Sequence, residues 1–594
     1  LAFYSAEPTS MTPIREYRWT LASSDSTSES SPGAQEAVKR LSDEVNISPV
    51  LAEILVRRGI DTFERARAFF RPTLKDLHDP FLMDGMDGAV DRVVHAIAEK
   101  ERILVYGDYD VDGTNGTALL WTFLKNLSAD VHYYIPDRIK EGYGISQVGI
   151  EKAKQLGVQL LISVDCGITA IKQVELARSL DIDVIICDHH EPGDNIPAAN
   201  AVLDPLLPSC QYPYKDLCGC SVAFKLIQAL SRHESLRTLV DGDEEDFLRQ
   251  YLDLVTLATT ADIVRLTGEN RVLAKQGLEL INSNPRPGLH ALIETSGLKL
   301  GTITTGQIVF VLAPRINAVG RLGDASRAVE LLTCDSYTHA LQLAQVFEEE
   351  NRNRRKIDED TFLEAQELVE KYSDAENEEA IILHQETWHP GVIGIVASRL
   401  VERYYRPTIM MTTVDGVAKG SARSVAGFDI YQALKRCEDK LVQFGGHRYA
   451  AGLSVEVERL DEFKEAFKLV AKELLTDELL TPEIRIDAEI SLNEITPKFV
   501  RILSQFAPFG PGNMRPVFVT RGVELYGQPR IVGKNHLKFK VKMNGQVFDA
   551  IGFSLGGLIK KLGNARRTVD LAFSLDEGEY AGETVPQLKI RDLK

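Results

Sequence analysis

Cysteine is scarce, tryptophan scarcer, and no long apolar run occurs in the 594 residues. Seven cysteines are too few for a disulfide scaffold in a chain of this length. Cys210, Cys218 and Cys220 lie close together but form no C-x-x-C pair, so they read as small packing residues rather than zinc ligands, and a reducing cytoplasm suits them. No stretch approaches the ~18 apolar residues of a membrane span. The first 35 residues are Ser-rich ("LASSDSTSESSPGAQ") and lack the apolar centre of a secretion signal; they read as a disordered lead, with Met11 as a natural start. Positive charge is also short: 68 Lys and Arg face 86 Asp and Glu, a net charge of −18. Alone, that disfavours a polyanionic partner, yet a local basic groove is compatible with any overall balance.

What is present is rhythm. From about residue 100 to 232, apolar runs ("RILVYGD", "VHYYIPD", "QLLISVD", "DIDVIICDHH", "AVLDP") alternate with amphipathic segments, the pattern of a mostly parallel sheet covered on both faces. Helical text follows to about 335. Residues 336–374 hold no Gly or Pro and read as one long helix. A second α/β unit comes next ("AIILH", "GVIGIVASRLVERY", "PTIMMT", "GVAKGSARS"). From about 480 short alternating strands predict a small β-barrel. A chain of this length is expected to divide into two to four domains.

The chemistry-bearing residues gather at strand ends. Asp108 and Asp110 close the first run, Asp165 the third, and Asp188, His189 and His190 the fourth. Ligands of open parallel sheets sit at the carboxyl ends of strands, near the topological switch point. Like charges that close repel unless something neutralises them, and oxygen ligands with His suit manganese or magnesium better than zinc. Asp262, ending the apolar segment "LVTLATTAD", can close such a site.

"VYGDYDVDG", "SVDCGI" and "DHH", in this order, resemble the signature motifs of the DHH phosphoesterases. Within that superfamily the chain is most similar to the RecJ single-stranded-DNA exonucleases. The likeness runs from about residue 40 to the end, through "PDRIKEGYG", "TTADIV", "PRINAVGRLGDA", "HPGVIGIVASRL", "GSARS", "FGGHRYAAGL" and "PFGPGNMRPVF". The resemblance implies a two-metal phosphodiesterase, with Asp108 and Asp165 on one Mn2+ or Mg2+ ion, Asp110, Asp165, His189 and Asp262 on the other, and Asp165 bridging. His190 is then left to donate to a phosphate oxygen. Many smaller superfamily members carry a further His where this chain has Leu104, which implies a poorer first metal site. Val111 and "TNG" (114–116) also depart from the family's usual Ala and Thr-Ser, at positions that shape the turn rather than bind metal.

Ser421 and Arg423 alternate on a probable strand and suit one phosphate. His447, behind two glycines, is expected near a helix start, where backbone N–H groups attract anions. Arg138 and Arg315 are candidates for backbone phosphates. The run "NRNRRK" (351–356) reads as a solvated helix face. The expected fold class is therefore α/β: two α/β domains joined by a long helix, plus an OB-like barrel. Its parts are a disordered lead (1–40), a DHH catalytic domain with a helical extension (41–335), a connecting helix (336–375), a DHH-associated substrate-binding domain (376–475) and an OB-fold-like nucleic-acid-binding domain (476–594), with all mapped chemistry before about 480.

The resemblance implies a 5′→3′ exonuclease of single-stranded DNA in recombination and repair: a cytoplasmic monomer working with single-strand-binding protein and a helicase. The alternative within enzymes is a DHH phosphodiesterase for short oligonucleotides or cyclic dinucleotides, chains that typically lack the barrel and strut helix. A catalytically dead scaffold would require lost ligands, and only the Leu104 position departs.

Overall fold

A computed structural model describes residues 16–22, 32–237, 243–372, 378–563, 568–580 and 583–594. Its first strand corrects the expectation of a disordered lead. β1 (Arg18–Leu21) pairs in parallel with residues Glu483–Ile486. The Trp19 indole donates to Asp592 at 2.8 Å, and Trp19 and Leu21 pack against Ile486, Val519 and Ala572. Ser-rich flanks set the composition of the lead, but "RWTL" is itself a β-forming run. A helix over Pro32–Val45 also begins inside the lead. Residues 1–15 and 23–31 lie outside the described residues.

The chain divides into two compact units. One spans Ile60–Arg352 and takes in a distant segment, Gln505–Arg515. Its sheet comprises β2 (Ile103–Gly107), β3 (Val131–Tyr134), β4 (Leu160–Val164), β5 (Asp183–Cys187) and β6 (Ala201–Leu203), all parallel, in the order β3-β2-β4-β5-β6. Every residue of β2 and β4 is buried. Alternation decides which face each joins: Ile103, Val105 and Ile162 enter one core, Leu104, Tyr106 and Leu161 the other. Helices Val111–Asn126 and Gly219–Arg232 are buried nearly all round, as helices inside a core must be apolar or hydrogen-bonded on every side. The chain moves from β2 outward to β3 and then returns to the other side of β2 for β4. That reversal is the switch point.

The other unit holds the residues up to Gly59, 353–504 and 516–594. The expected long helix is Tyr337–Tyr372, 36 residues and about 54 Å, passing from one unit into the other; residues 373–377 lie outside the described residues. A mixed sheet follows: β7 (Ile381–His384), β8 (Thr408–Val414), β9 (Val417–Arg423), β10 (Gln443–His447) and β11 (Ala450–Glu456), ordered β10-β11-β9-β8-β7, with β7 and β8 parallel and the rest antiparallel. β12 (Glu483–Ile486) and β13 (Ala488–Glu489) lead into the barrel strands β14 (Phe518–Val532), β15 (His536–Met543), β16 (Gln546–Gly552), β17 (Thr568–Tyr580) and β18 (Glu583–Leu593). The order β14-β15-β16-β18-β17 closes on itself through β14–β17, with β16 and β18 parallel, so a closed five-stranded barrel forms.

Two boundaries differ from the expected ones. The helices before Gly59 group with the C-terminal unit, and Gln505–Arg515, expected within the barrel domain, packs into the Ile60–Arg352 unit. Both depend on contacts between residues hundreds of positions apart, which local composition does not encode. Among the described residues no helix is long and apolar enough to cross a membrane.

Candidate metal centre

The turn after β2 is built by close approach. Asp110 caps the helix Val111–Asn126, accepting from the N–H groups of Asp112 (2.9 Å) and Gly113 (3.1 Å). This folds Gly113 onto Asp108: a Cβ there would stand 2.5 Å from the Asp108 backbone nitrogen and oxygen. Asp112 points elsewhere. It accepts from Gly219 (2.6 Å) and Cys220 (2.9 Å), the first backbone donors of the buried helix Gly219–Arg232, so its carboxylate caps that helix rather than its own.

Asp165 follows β4 with φ +62°, a left-handed conformation that Asp tolerates better than most residues and that costs on the order of 1 kcal/mol or more. Its hydrogen bond to the Cys187 carbonyl (2.9 Å) and the Tyr143 hydroxyl on its own carbonyl (3.1 Å) hold it there. Gly219 makes room: a Cβ would lie 2.7 Å from Asp165 Cα. After β5, buried Asp188 accepts from the N–H groups of Ile168 (2.9 Å) and His189 (2.8 Å) and lies 2.7 Å from His190 Nδ1. Asp262 ends the helix Leu252–Ala261.

These residues converge. His189 Nε2 lies 3.2 Å from Asp165, 3.7 Å from Asp262 and 3.8 Å from Asp112. Three overlapping groups have all their ligand atoms within 4.8 Å: Asp108, Asp110 and Asp165; Asp112, His189 and Asp262; Asp165, His189 and His190. The second contains Asp112 where the expected ligand set had Asp110.

The electrostatics fit a bound cation. Burial, then the neighbouring carboxylates, push Asp108, Asp165 and Asp262 well above the ordinary carboxylate range. Burial keeps His189 neutral, the form that ligates. Asp108 Oδ1 and His189 Nε2 are buried and have no hydrogen-bond partner among the described residues. Divalent ions, one at the Asp108 group and one at the His189 group, would satisfy these orphan atoms and relieve the repulsion. His190 differs: burial works against its charge, but the hydrogen bond and charge of Asp188, together with the carboxylates of Asp262 and Asp112, raise the imidazole to about 9.

Arg138 stacks over Tyr109, 4.7 Å from the ring centroid, beside a cavity of about 320 Å³ that Arg321 and Gly320 also line. Gly320 abuts the turn itself, since a Cβ there would stand 2.6 Å from the Tyr109 carbonyl oxygen. Arg315 is not brought to this cluster. It is 4% exposed, donating to Glu348 and the Val311 carbonyl, both at 2.6 Å, so its guanidinium is committed to a buried ion pair rather than to a phosphate.

Ser421, Arg423 and His447 lie on the other unit. Arg423 donates to Ser421 (2.9 Å), and both face Gly394 in the first turn of the helix Ile393–Tyr404, where a Cβ would meet Ser421 Oγ at 2.8 Å and the guanidinium at 2.9 Å. His447 corrects its expectation: it ends strand β10 beside the turn to β11, because Gly445 and Gly446 pair with Gly452 and Ala451 instead of opening a helix.

The chain matches the family models for the "DHH family, N-terminal domain" over residues 102–259, the "DHHA1 domain" over 377–473 and the "RecJ OB domain" over 486–592. The single-stranded-DNA-specific exonuclease RecJ of Bacillus subtilis is 38% identical over 94% of this chain and 69% of its own length. The chain belongs to the RecJ family. RecJ of Salmonella typhimurium is 36% identical over 92% of this chain and 96% of its own. The crystal structure of RecJ in complex with Mn2+ from Thermus thermophilus superposes with a TM-score of 0.81 at 29% identity, over 97% of this chain and 79% of that one.

Three features escaped the reading of the text. Tyr143, whose hydroxyl is 3.1 and 3.2 Å from the two ring nitrogens of His190, carries no motif signal beyond its Gly neighbours. Arg321 shares its motif with Arg315, and only the fold shows which faces the cavity. The third is a strap, residues 505–515, packed on the segment that follows Asp262 in the chain. Pro511 accepts from the Leu266 N–H at 2.7 Å, Gly510 packs on Leu266, and Gly512 (φ +73°) packs on Thr267. Buried Arg271 fixes that strap, donating to the carbonyls of Phe69, Phe506 and Ala507, while Asn513 donates to Phe506 and Pro508, both at 2.8 Å.

Proposed function

We propose that the chain is a metal-dependent 5′→3′ exonuclease that hydrolyses phosphodiester bonds of single-stranded DNA, in DNA recombination and repair. The observation that carries this reading is the convergence of Asp108, Asp110, Asp165, His189 and Asp262 at the switch point of the parallel sheet, in a chain that also carries a RecJ-type barrel. Asp108 and Asp165 would hold one ion; Asp165, His189 and Asp262 would hold the second, with Asp110 or Asp112 completing it. Two Mn2+ or Mg2+ ions there supply an activated water and neutralise charge developing on the scissile phosphate.

The protein's own groups do the rest. Asp188 fixes the ring of His190 and keeps it charged, so His190 donates to a phosphate oxygen as charge builds. Tyr143 braces that ring and the Asp165 backbone. Arg138 and Arg321 line the cavity beside the turn and take backbone phosphates. Ser421 and Arg423, with His447 across β11 from Arg423 in the same sheet, receive the terminal 5′-phosphate, which carries more charge than an internal one. Action in the cytoplasm as a monomer, beside single-strand-binding protein and a helicase, belongs to the same proposal. Digestion of end-labelled single strands, duplex and dinucleotides with Mn2+, Mg2+ or EDTA tests it. Loss from the 5′ end of single strands alone, abolished by EDTA, is expected; preference for dinucleotides would favour the small-substrate phosphodiesterase.

A further inference from the structure

An α-helix commonly ends on a residue with a left-handed backbone, and glycine usually takes that place because it carries no Cβ. The helix Leu252–Ala261, which delivers Asp262, is followed instead by Ile263 at φ +62°. Ten residues other than glycine have such a φ among the described residues, and Ile263 alone of them is β-branched. A β-branched side chain crowds its own backbone in that conformation, so the turn is strained and has to be held from outside. Burial of the side chain does little to hold it, since Ile263 is 40% exposed. Its N–H reaches the Thr260 carbonyl only at 3.3 Å.

The restraint begins two residues further on. The Arg265 carbonyl accepts from the Tyr214 hydroxyl and the Asn270 amide, both at 3.0 Å. The Leu266 N–H donates to the Pro511 carbonyl of the strap at 2.7 Å, and a Cβ on Gly512 would meet Thr267 Cγ2 at 2.9 Å. Thr267 is already the N-cap of the helix Gly268–Ser283, from which Arg271 donates back to the strap carbonyls of Phe506 and Ala507. Asn513 closes the strap on itself through Phe506 and Pro508. The strained residue therefore lies between two fixed ends: the helix that carries Asp262, and the 265–267 segment held by the strap. All of these parts belong to one compact unit.

We propose that the 505–515 strap is a positioning element for the metal centre. By holding residues 265–267 it keeps Ile263 in its left-handed turn, and that turn keeps the Asp262 carboxylate toward His189, 3.7 Å from Nε2. The inference rests on the reading of the carboxylate cluster as a two-ion centre. Asp262 groups with His189 and not with Asp108 and Asp110, so the strap acts on one ion site and spares the other.

The test titrates the full chain with Mn2+ and follows the paramagnetic-resonance signal of the free ion. It compares the wild type, Asn513→Ala, Ile263→Gly and the double variant, each with a metal-free thermal melt to establish folding. Asn513→Ala should weaken one of the two Mn2+ sites about tenfold or more and leave the other within a few-fold. Ile263→Gly should bind both ions as the wild type does. In the double variant glycine takes the left-handed turn without help from the strap, so the weakened site should recover to within a few-fold of wild type. General damage to the fold would weaken both sites, and a glycine would not repair it. If Asn513→Ala fails to fold, Gly512→Ala, which crowds Thr267, takes its place. Unaltered Mn2+ binding in the strap variant, or a double variant no better than the strap variant alone, would overturn the proposal while the metal centre stood. A wild type that bound no Mn2+ would overturn the two-ion reading, and the strap's role with it.

Discussion

Asp188 Oδ1 lies 2.7 Å from His190 Nδ1, and the other oxygen of the same carboxylate accepts from the Ile168 N–H at 2.9 Å. The carboxylate is thereby fixed before it fixes the ring, and the bond it shares with the imidazole lowers its own pKa despite burial. Asp188 acts through His190, as a positioning residue. Asp188→Asn should lower kcat by about 10- to 100-fold and leave KM for a single strand within a few-fold. Steady-state kinetics, with circular dichroism to establish folding, check this.

Tyr143 meets the same ring through its hydroxyl. Tyr143→Phe keeps the ring stack but removes the hydroxyl from Asp165 and His190. A loss of about tenfold in kcat with the fold intact is expected, and Tyr143→Ala should be worse.

The carboxylate cluster makes metal-free stability depend on pH. Asp108, Asp165 and Asp262 are raised in the folded state and titrate near 3.9 when unfolded, so the folded form binds protons more tightly. Stability from these groups is complete below the unfolded value and is lost as pH climbs through the raised folded values. Cations bind the deprotonated cluster and reverse that loss. The rise in Tm on adding Mn2+ to EDTA-treated protein should therefore be larger at about pH 8 than at about pH 5.5. An equal rise at both would contradict a metal held by these carboxylates.

Removing Arg423 should erase a preference for phosphorylated 5′ ends. A charged hydrogen bond contributes on the order of 1.5–3 kcal/mol, about ten- to hundredfold in discrimination. Comparing 5′-phosphate and 5′-hydroxyl single strands in the wild type and Arg423→Ala measures it. An unchanged ratio would mean that Arg423 is not the end sensor.

The metal residues were legible because each stands where an apolar run stops, and a parallel sheet sends all such ends to one edge. Their ligand grouping was less so: Asp112 reaches Gly219 and His189, more than 70 positions away, and only the packed helix shows it. The motif "PRINAVGR" contains two arginines of equal promise, and the partner that buries Arg315, Glu348, lies on another helix. The strap was invisible for the same reason, since Leu266 meets Pro511 only when the chain folds back. Local alternation marked the barrel strands, but the shift of register between β14 and β15 at their bulge is not readable from it.

The proposed two-ion centre turns on Asp165, which would serve both ions. The most direct measurement is digestion of a 5′-phosphorylated, end-labelled single strand by Asp165→Ala with saturating Mn2+, beside a thermal melt. A folded protein with no detectable hydrolysis at any Mn2+ concentration is expected. Turnover near that of the wild type would contradict it.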